Sequence, residues 1–225
     1  SGEWTTIPVP SCWELQGFGT YQYGMPFYGK ANPPGIAKEQ GLYKYKFKLP
    51  KEWEGRVVRI VFDGVMTDCE AKINDRRCGY LHQGAFYRFK SDVSDRIFFG
   101  DQENVLEVTV SKESANSSVK MAERRGDYWN FGGIFRPVFV EALPAQFIDR
   151  TAIDAKADGN FYADVFLGVA MGNNTKVVAE LTDISGKSLG KPLETSISGG
   201  TDKAVIRGKF ENIKNWTAET PNLYY

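Results

Sequence analysis

From residue 42 to residue 142 the chain repeats a single pattern. Short runs of about four to eight residues, alternating or β-branched, are each closed by a turn signal. Tyr43, Tyr45, Phe47 and Leu49 alternate with Lys44, Lys46 and Lys48, the period of a strand with one face in water. A β-branched run at 56–62 ends at Asp63-Gly64, and a run at 67–73 ends at Asn74-Asp75. Further strands are expected at 78–81, 86–89, 104–110 and 138–142, the third carrying Val105, Leu106, Val108 and Val110. No long helical period interrupts them. Strands at this spacing predict an antiparallel two-sheet sandwich, in an all-β protein.

Before this set, residues 3–41 are crowded with Pro and Gly. They predict an irregular arm lying over the sheets, held by Trp4, Trp13, Tyr21, Tyr23, Phe27 and Tyr28. After it, a boundary falls at 144–148, giving domains 1–145 and 146–225. The second stretch has fewer aromatics and shorter strands, expected at 151–157, 161–169, 177–182 and 204–210, with Gly/Asn turns between them. That spacing suits an immunoglobulin-like sandwich without the antibody cysteine pair. The aromatic ending at 216–225 reads as a cut in a longer polypeptide.

Composition narrows the chemistry. Lys+Arg and Asp+Glu are 28 each in 225 residues, so no net charge draws the chain to nucleic acid or an anionic membrane. No apolar run approaches the roughly 18 residues that span a bilayer. Cys12, Cys69 and Cys78 are too few and scattered for a disulfide framework or a zinc site, and buried free thiols are expected, although Cys69 and Cys78 could pair across a hairpin. Asn116, Asn173 and Asn215 begin sequons that matter only on a eukaryotic secretory route. The single histidine, His82, has no nucleophile elbow to serve, and no phosphate-cradling Gly loop precedes a helix. Neither metal nor cofactor is expected, and no catalytic residue can be assigned.

One stretch stands apart. Residues 126–137 place Asp127 before Tyr128, Trp129, Asn130 and Phe131, then Gly132-Gly133. A carboxylate, stacking rings and permissive glycines suit a loop that binds hydroxyls at a sheet rim. The same composition suits a loop whose aromatics plug a sandwich end. Part of a larger enzyme, a free carbohydrate-binding module and a cell-surface scaffold all stay open on these residues alone.

The order of motifs along the chain resembles glycoside hydrolase family 2, most of all its β-galactosidase-type members. WTTIPVP at 4–10 and CWELQGFG at 12–19 are similar to the family's opening; MPF at 25–27, NPP at 32–34, LPKEWEG at 49–55, VFDGV at 61–65 and DYWNFGGIFR at 127–136 follow in register. WTAETPNLY at 216–224 is similar to the segment that closes the family's immunoglobulin-like domain and leads into a TIM barrel. The resemblance implies a jelly-roll, galactose-binding-like sandwich followed by an immunoglobulin-like one. It also implies a retaining exo-β-glycosidase whose two catalytic glutamates stand on a barrel after Tyr225.

On that resemblance Asp127 falls on the family's hydroxyl-binding aspartate and Trp129 orders its loop, a role that packing of the indole would fulfil. Gln22 or Tyr23 replaces an asparagine that touches sugar in many members. The partner is then a carbohydrate substrate shared with the barrel, and homo-oligomerisation of the longer protein stays open. Arg124-Arg125 stands where members carry an acidic run, which admits an anionic or larger glycan. A β-glucuronidase or β-mannosidase is the alternative within the family.

Overall fold

The computed structural model describes residues 3–20, 22–24, 38–172 and 175–225. Tyr21, the 25–27 and 32–34 motifs, Tyr28 and the Asn173 sequon lie outside the described residues. By its contacts the chain forms two compact units, Ser1–Leu143 and Pro144–Tyr225.

In the first unit the strands run in the order β1 (Gln22–Tyr23), β2 (Gln40–Phe47), β3 (Val57–Phe62), β4 (Asp68–Ile73), β5 (Arg76–Arg77), β6 (His82–Gln83), β7 (Phe89–Asp92) and β8 (Asn104–Ser111). A short helix α1 (Ser117–Glu123), β9 (Trp129–Asn130) and β10 (Val138–Leu143) complete it. All pairings are antiparallel. One sheet has the order β2-β8-β4-β5, with β6 also on β4; a second has the order β10-β3-β7; β1 and β9 form a separate ribbon.

The sandwich arises from period two. Along β8 burial alternates strictly, and the inward Leu106, Val108 and Val110 join Cys69 and Ile73 of β4 and Val58, Ile60 and Phe62 of β3 in one core. At the β4–β5 hairpin Asn74 and Asp75 take φ 50° and 64°, the paired left-handed geometry of a two-residue turn. Asn74 also fixes the turn from within. Its amide nitrogen donates to Arg96 O (2.8 Å) and Asn104 Oδ1 (2.9 Å), and its oxygen accepts from Val105 N (2.9 Å).

Several sequence expectations are corrected. No strand runs through 78–81: Gly79 at φ 135° breaks the ladder after β5, and pairing resumes only at β6. The strand expected at 86–89 lies at β7, because Phe86 and Tyr87 belong to an exposed loop. Helix α1 gave no readable period in only seven residues; Asn116 begins it by accepting hydrogen bonds from Ser118 N (2.9 Å) and Val119 N (3.3 Å). In the arm, Trp13 starts a 3-10 turn and is buried, whereas Trp4 is 67% exposed.

The second unit is built from β11 (Ile148–Ala155), β12 (Asn160–Met171), β13 (Lys176–Ala179), β14 (Leu193–Ser196) and β15 (Thr201–Lys209). The sheet β11-β12-β15 and the pair β13-β14 enclose Ala163, Val165, Leu167, Met171, Val177, Ile197, Ala204 and Ile206. β14 escaped the sequence reading, since only Leu193 of its four residues is a large apolar group. On the outer face of the three-stranded sheet the Arg150 guanidinium lies 3.4 Å from the Phe166 ring centre, and Lys203 bonds Asp164. This is a self-satisfied solvated face.

The three cysteines are free thiols. Burial pushes Cys69 up to about 12 and Cys78 up to about 11, and raises the half-buried Cys12 as well. At pH 8 all three are therefore held as thiols in the folded state. A disulfide-exchange reagent is expected to leave Cys69 and Cys78 unreacted in the native protein and to titrate all three after guanidinium unfolding. Rapid native reaction of more than the Cys12 thiol would contradict this packing.

Candidate functional site

Four segments remote in sequence meet beneath the 124–131 loop. The side chains of Glu14 and Lys112 are both fully buried, with Lys112 Nζ 2.7 Å from Glu14 Oε1. Both Glu14 oxygens also accept from Gly132 N, at 3.0 Å each. Lys112 donates further to Thr20 O and lies 3.3 Å from Glu39 Oε2, while Glu39 Oε1 accepts from Thr20 N (2.7 Å). The arm, the start of β2, the end of β8 and the far stem of the loop are thus joined by charge-assisted bonds.

Glycine permits the close approach. An ideal Cβ on Gly132 would lie 2.1 Å from the Trp13 ring, and Gly133, at φ 125°, packs on the backbone of Ser11–Trp13. Gly133 and Met66 exchange backbone hydrogen bonds of 2.9 and 3.3 Å, fixing the loop to the turn before β4. On the other side Glu123 Oε2 accepts from Ala85 N (2.7 Å), tying the helix end to the Phe86–Tyr87 loop.

Above this base the loop folds tightly. Tyr128 N donates to Gly126 O (2.9 Å), which makes Asp127 the middle residue of a three-residue turn. Gly24 N donates to Tyr128 O (2.8 Å), and β1 pairs with β9 in the register Gln22↔Asn130 and Tyr23↔Trp129. A Cβ on Gly24 would come 2.6 Å from Gly126 O, so the ribbon closes against the turn only because that side chain is absent.

The four residues named from the sequence are therefore assembled in one place. Asp127 is exposed and takes part in no hydrogen bond or ion pair among the described residues. Trp129 is 52% exposed and meets Tyr23 edge-on, with ring centres 5.3 Å apart. The indole is therefore half exposed. The pleat sets Tyr23 on the same side of the ribbon as Trp129, and Gln22 on the side of the buried Asn130. Tyr128 lies over Gly126, and burial raises its hydroxyl pKa against the lowering effect of Arg124.

The basic pair is divided. Arg124 is 2% exposed and donates to Phe131 O, so it cannot meet a ligand, whereas Arg125 is exposed and unpaired among the described residues. His82 stacks on Phe89 at 3.7 Å, with its Nε2 within 2.9 Å of Gly84 O, and burial lowers its pKa. It is a packed histidine. Among the described residues no group of three or more His, Cys, Asp or Glu could hold a metal ion, and no helix is long and apolar enough to cross a membrane.

Residues 2–144 match the model of the glycosyl hydrolases family 2 sugar binding domain. The chain belongs to glycosyl hydrolase family 2. It is 27% identical to a β-galactosidase of Priestia megaterium over an alignment of 246 residues, covering 99% of the chain and 22% of that relative. It is also 27% identical to a putative β-glucuronidase of Formosa agariphila over 195 residues, covering 85% and 23%. The chain spans less than a quarter of the length of these two curated relatives. Among solved structures, a β-glucuronidase of Bacteroides uniformis shares the fold at TM-score 0.71 and 22% identity, over 98% of this chain and 26% of that one. A putative β-galactosidase of Bacteroides fragilis does so at TM-score 0.75 and 19% identity, over 99% and 33%.

Within this family 2 chain the sequence named the displayed side chains but missed their supports. Lys112 sits in a stretch that looks like ordinary surface, and nothing in periodicity marks it, Glu14, Arg124 or Asn130 as buried. Lys112→Met, which leaves the Glu14 carboxylate buried without its cation, is expected to cost about 3–5 kcal/mol. Adding Glu14→Gln should return part of that loss, because the amide oxygen still accepts from Gly132 N. Urea unfolding of the single and double variants reads both changes.

Proposed function

We propose that this chain is the sugar-binding and immunoglobulin-like portion of a retaining exo-β-glycosidase, most like a β-galactosidase. The catalytic glutamates of that enzyme stand on a TIM barrel elsewhere in the same polypeptide. The observation that carries the reading is the unengaged Asp127 carboxylate at the apex of a turn anchored on both sides. A carboxylate so held accepts two short charge-assisted bonds from vicinal sugar hydroxyls without first giving up a protein partner. Trp129, two residues on and 52% exposed, meets Tyr23 edge-on beside it. Tyr23 suits a supporting role at the sugar better than Gln22, which lies on the side of buried Asn130.

A second reading, a β-glucuronidase, is favoured by one observation: the exposed Arg125 guanidinium two residues before Asp127 offers a counter-charge to a uronate. The partner in either case is a carbohydrate whose remaining contacts come from the barrel. In the full-length enzyme Asp127→Ala is expected to lower kcat/KM by about 2–4 kcal/mol of transition-state binding, roughly 30- to 1,000-fold. Unchanged kinetics would remove Asp127 from the site.

The 225-residue chain alone is expected to hydrolyse no aryl β-glycoside and to bind monosaccharides at about millimolar affinity or weaker, since half the pocket is absent. Turnover by the purified chain would overturn the division of labour. Tight monosaccharide binding would instead identify a self-sufficient carbohydrate-binding module.

A further inference from the structure

The recognition chemistry leaves one ionised group without a task. Arg124 is among the largest fully buried side chains of the protein, yet no carboxylate lies in ion-pair contact with it among the described residues. Its Nε has no hydrogen-bond partner, and burial lowers its pKa against the opposing influence of Tyr128, Glu14 and Glu123. Burying a guanidinium in this way is costly, and an apolar side chain would fill the same volume at lower cost.

What the guanidinium does is geometric. Arg124 N donates to Lys120 O (3.1 Å), which makes this residue the last anchored position of α1. Its side chain crosses the loop and donates to Phe131 O on the opposite stem. One residue therefore joins the entry and exit of the segment whose apex is Asp127. The neighbouring bonds each fix one side only: Glu14 holds Gly132 on the exit stem, and Gly24 holds Tyr128.

We propose that Arg124 is a positioning residue for Asp127, closing the base of the loop so that the carboxylate stands at a fixed height above the ribbon. This rests on the reading of Asp127 as a hydroxyl-binding group. Arg124 touches no substrate; it acts through the carboxylate three residues on. A residue that merely stabilised the fold would affect activity whether or not that carboxylate were present.

The test is a double-mutant cycle in the full-length enzyme, with an aryl β-glycoside as substrate. Arg124→Gln and Arg124→Lys are each made with Asp127 intact and with Asp127→Ala. With Asp127 intact, Arg124→Gln is expected to lower kcat/KM about tenfold to a hundredfold, the range for a displaced binding group. Arg124→Lys, which keeps the charge and one donor, is expected to restore part of the loss. In the Asp127→Ala background the same Arg124 substitutions should change kcat/KM by less than about twofold.

Equal fold-losses in both backgrounds would overturn the proposal and make Arg124 a core residue only. If Arg124→Gln does not fold, as judged by its thermal transition, the cycle is run with Arg124→Lys alone and decides on the same criterion. Loss of the effect of Asp127→Ala itself would be a different failure, that of the underlying site.

Discussion

A fully buried lysine and glutamate hold this sugar-binding unit in register. Lys112 and Glu14 are separated by most of a domain in sequence, and each would be costly to bury alone. Together they exclude water, and their remaining hydrogen-bonding capacity goes to the backbone of Thr20 and Gly132 and to the carboxylate of Glu39. A hydrophobic pair of similar volume would fill the space but would not discriminate one loop register from another. The two bonds from Gly132 N to the Glu14 carboxylate do discriminate, because a shift by one residue would leave an anion buried without its donor.

That register is what makes the exposed end of the loop useful. Once Gly132 is seated against Trp13, the stretch 124–131 has little freedom. Its two stems are joined through Arg124, and its apex is closed by the Gly126–Tyr128 bond. Asp127 then faces solvent on a backbone already ordered. Binding a polyol to such a carboxylate requires ordering of the ligand and one side chain, not of a loop. The order is built from main-chain bonds, close glycine contacts and the side chains of Glu14 and Arg124, and none of these engages the Asp127 carboxylate.

How much of this was legible in the sequence depends on which physical signal each part emits. Period two in residues 104–111 and the Asn74-Asp75 turn announce themselves, because burial on one face and a left-handed turn each restrict residue type strongly. Asp127 and Trp129 were legible from their company: a carboxylate among rings and glycines is unusual, and the order of surrounding motifs resembled one family. The supports were not. Lys112 follows a strand and resembles any surface lysine, and Arg124 beside Arg125 reads as a solvated basic pair until one side chain turns inward. Burial of a charge depends on what the fold places above it, and no local pattern records that. The strand expected at 78–81 failed for a related reason: Gly79 adopts a backbone that ends the ladder, and residue type alone did not reveal it. The one expected at 86–89 is displaced to Phe89–Asp92, because Phe86 and Tyr87 stay in an exposed loop despite their aromatic character.

The distribution of unsatisfied groups makes the same division from the energetic side. Among the described residues, every buried side-chain polar atom without a hydrogen-bond partner belongs to the first unit. The indole nitrogen of Trp13, Nε of Arg124 and the whole amide of Asn130 all lie in the loop or in the segment packed against it. Each costs on the order of 1–3 kcal/mol relative to a satisfied group. Real proteins tolerate such departures from polar satisfaction mainly where function constrains the geometry. The second unit, with Lys203 paired to Asp164 on its outer face and a core of apolar side chains, has no such atom among the described residues. Among the described residues these groups fall in one unit, most of them around the loop that displays Asp127, with Tyr43 Oη on β2 and Asp68 Oδ1 on β4 besides. That is the pattern expected if the first sandwich recognises the ligand and the second is scaffold.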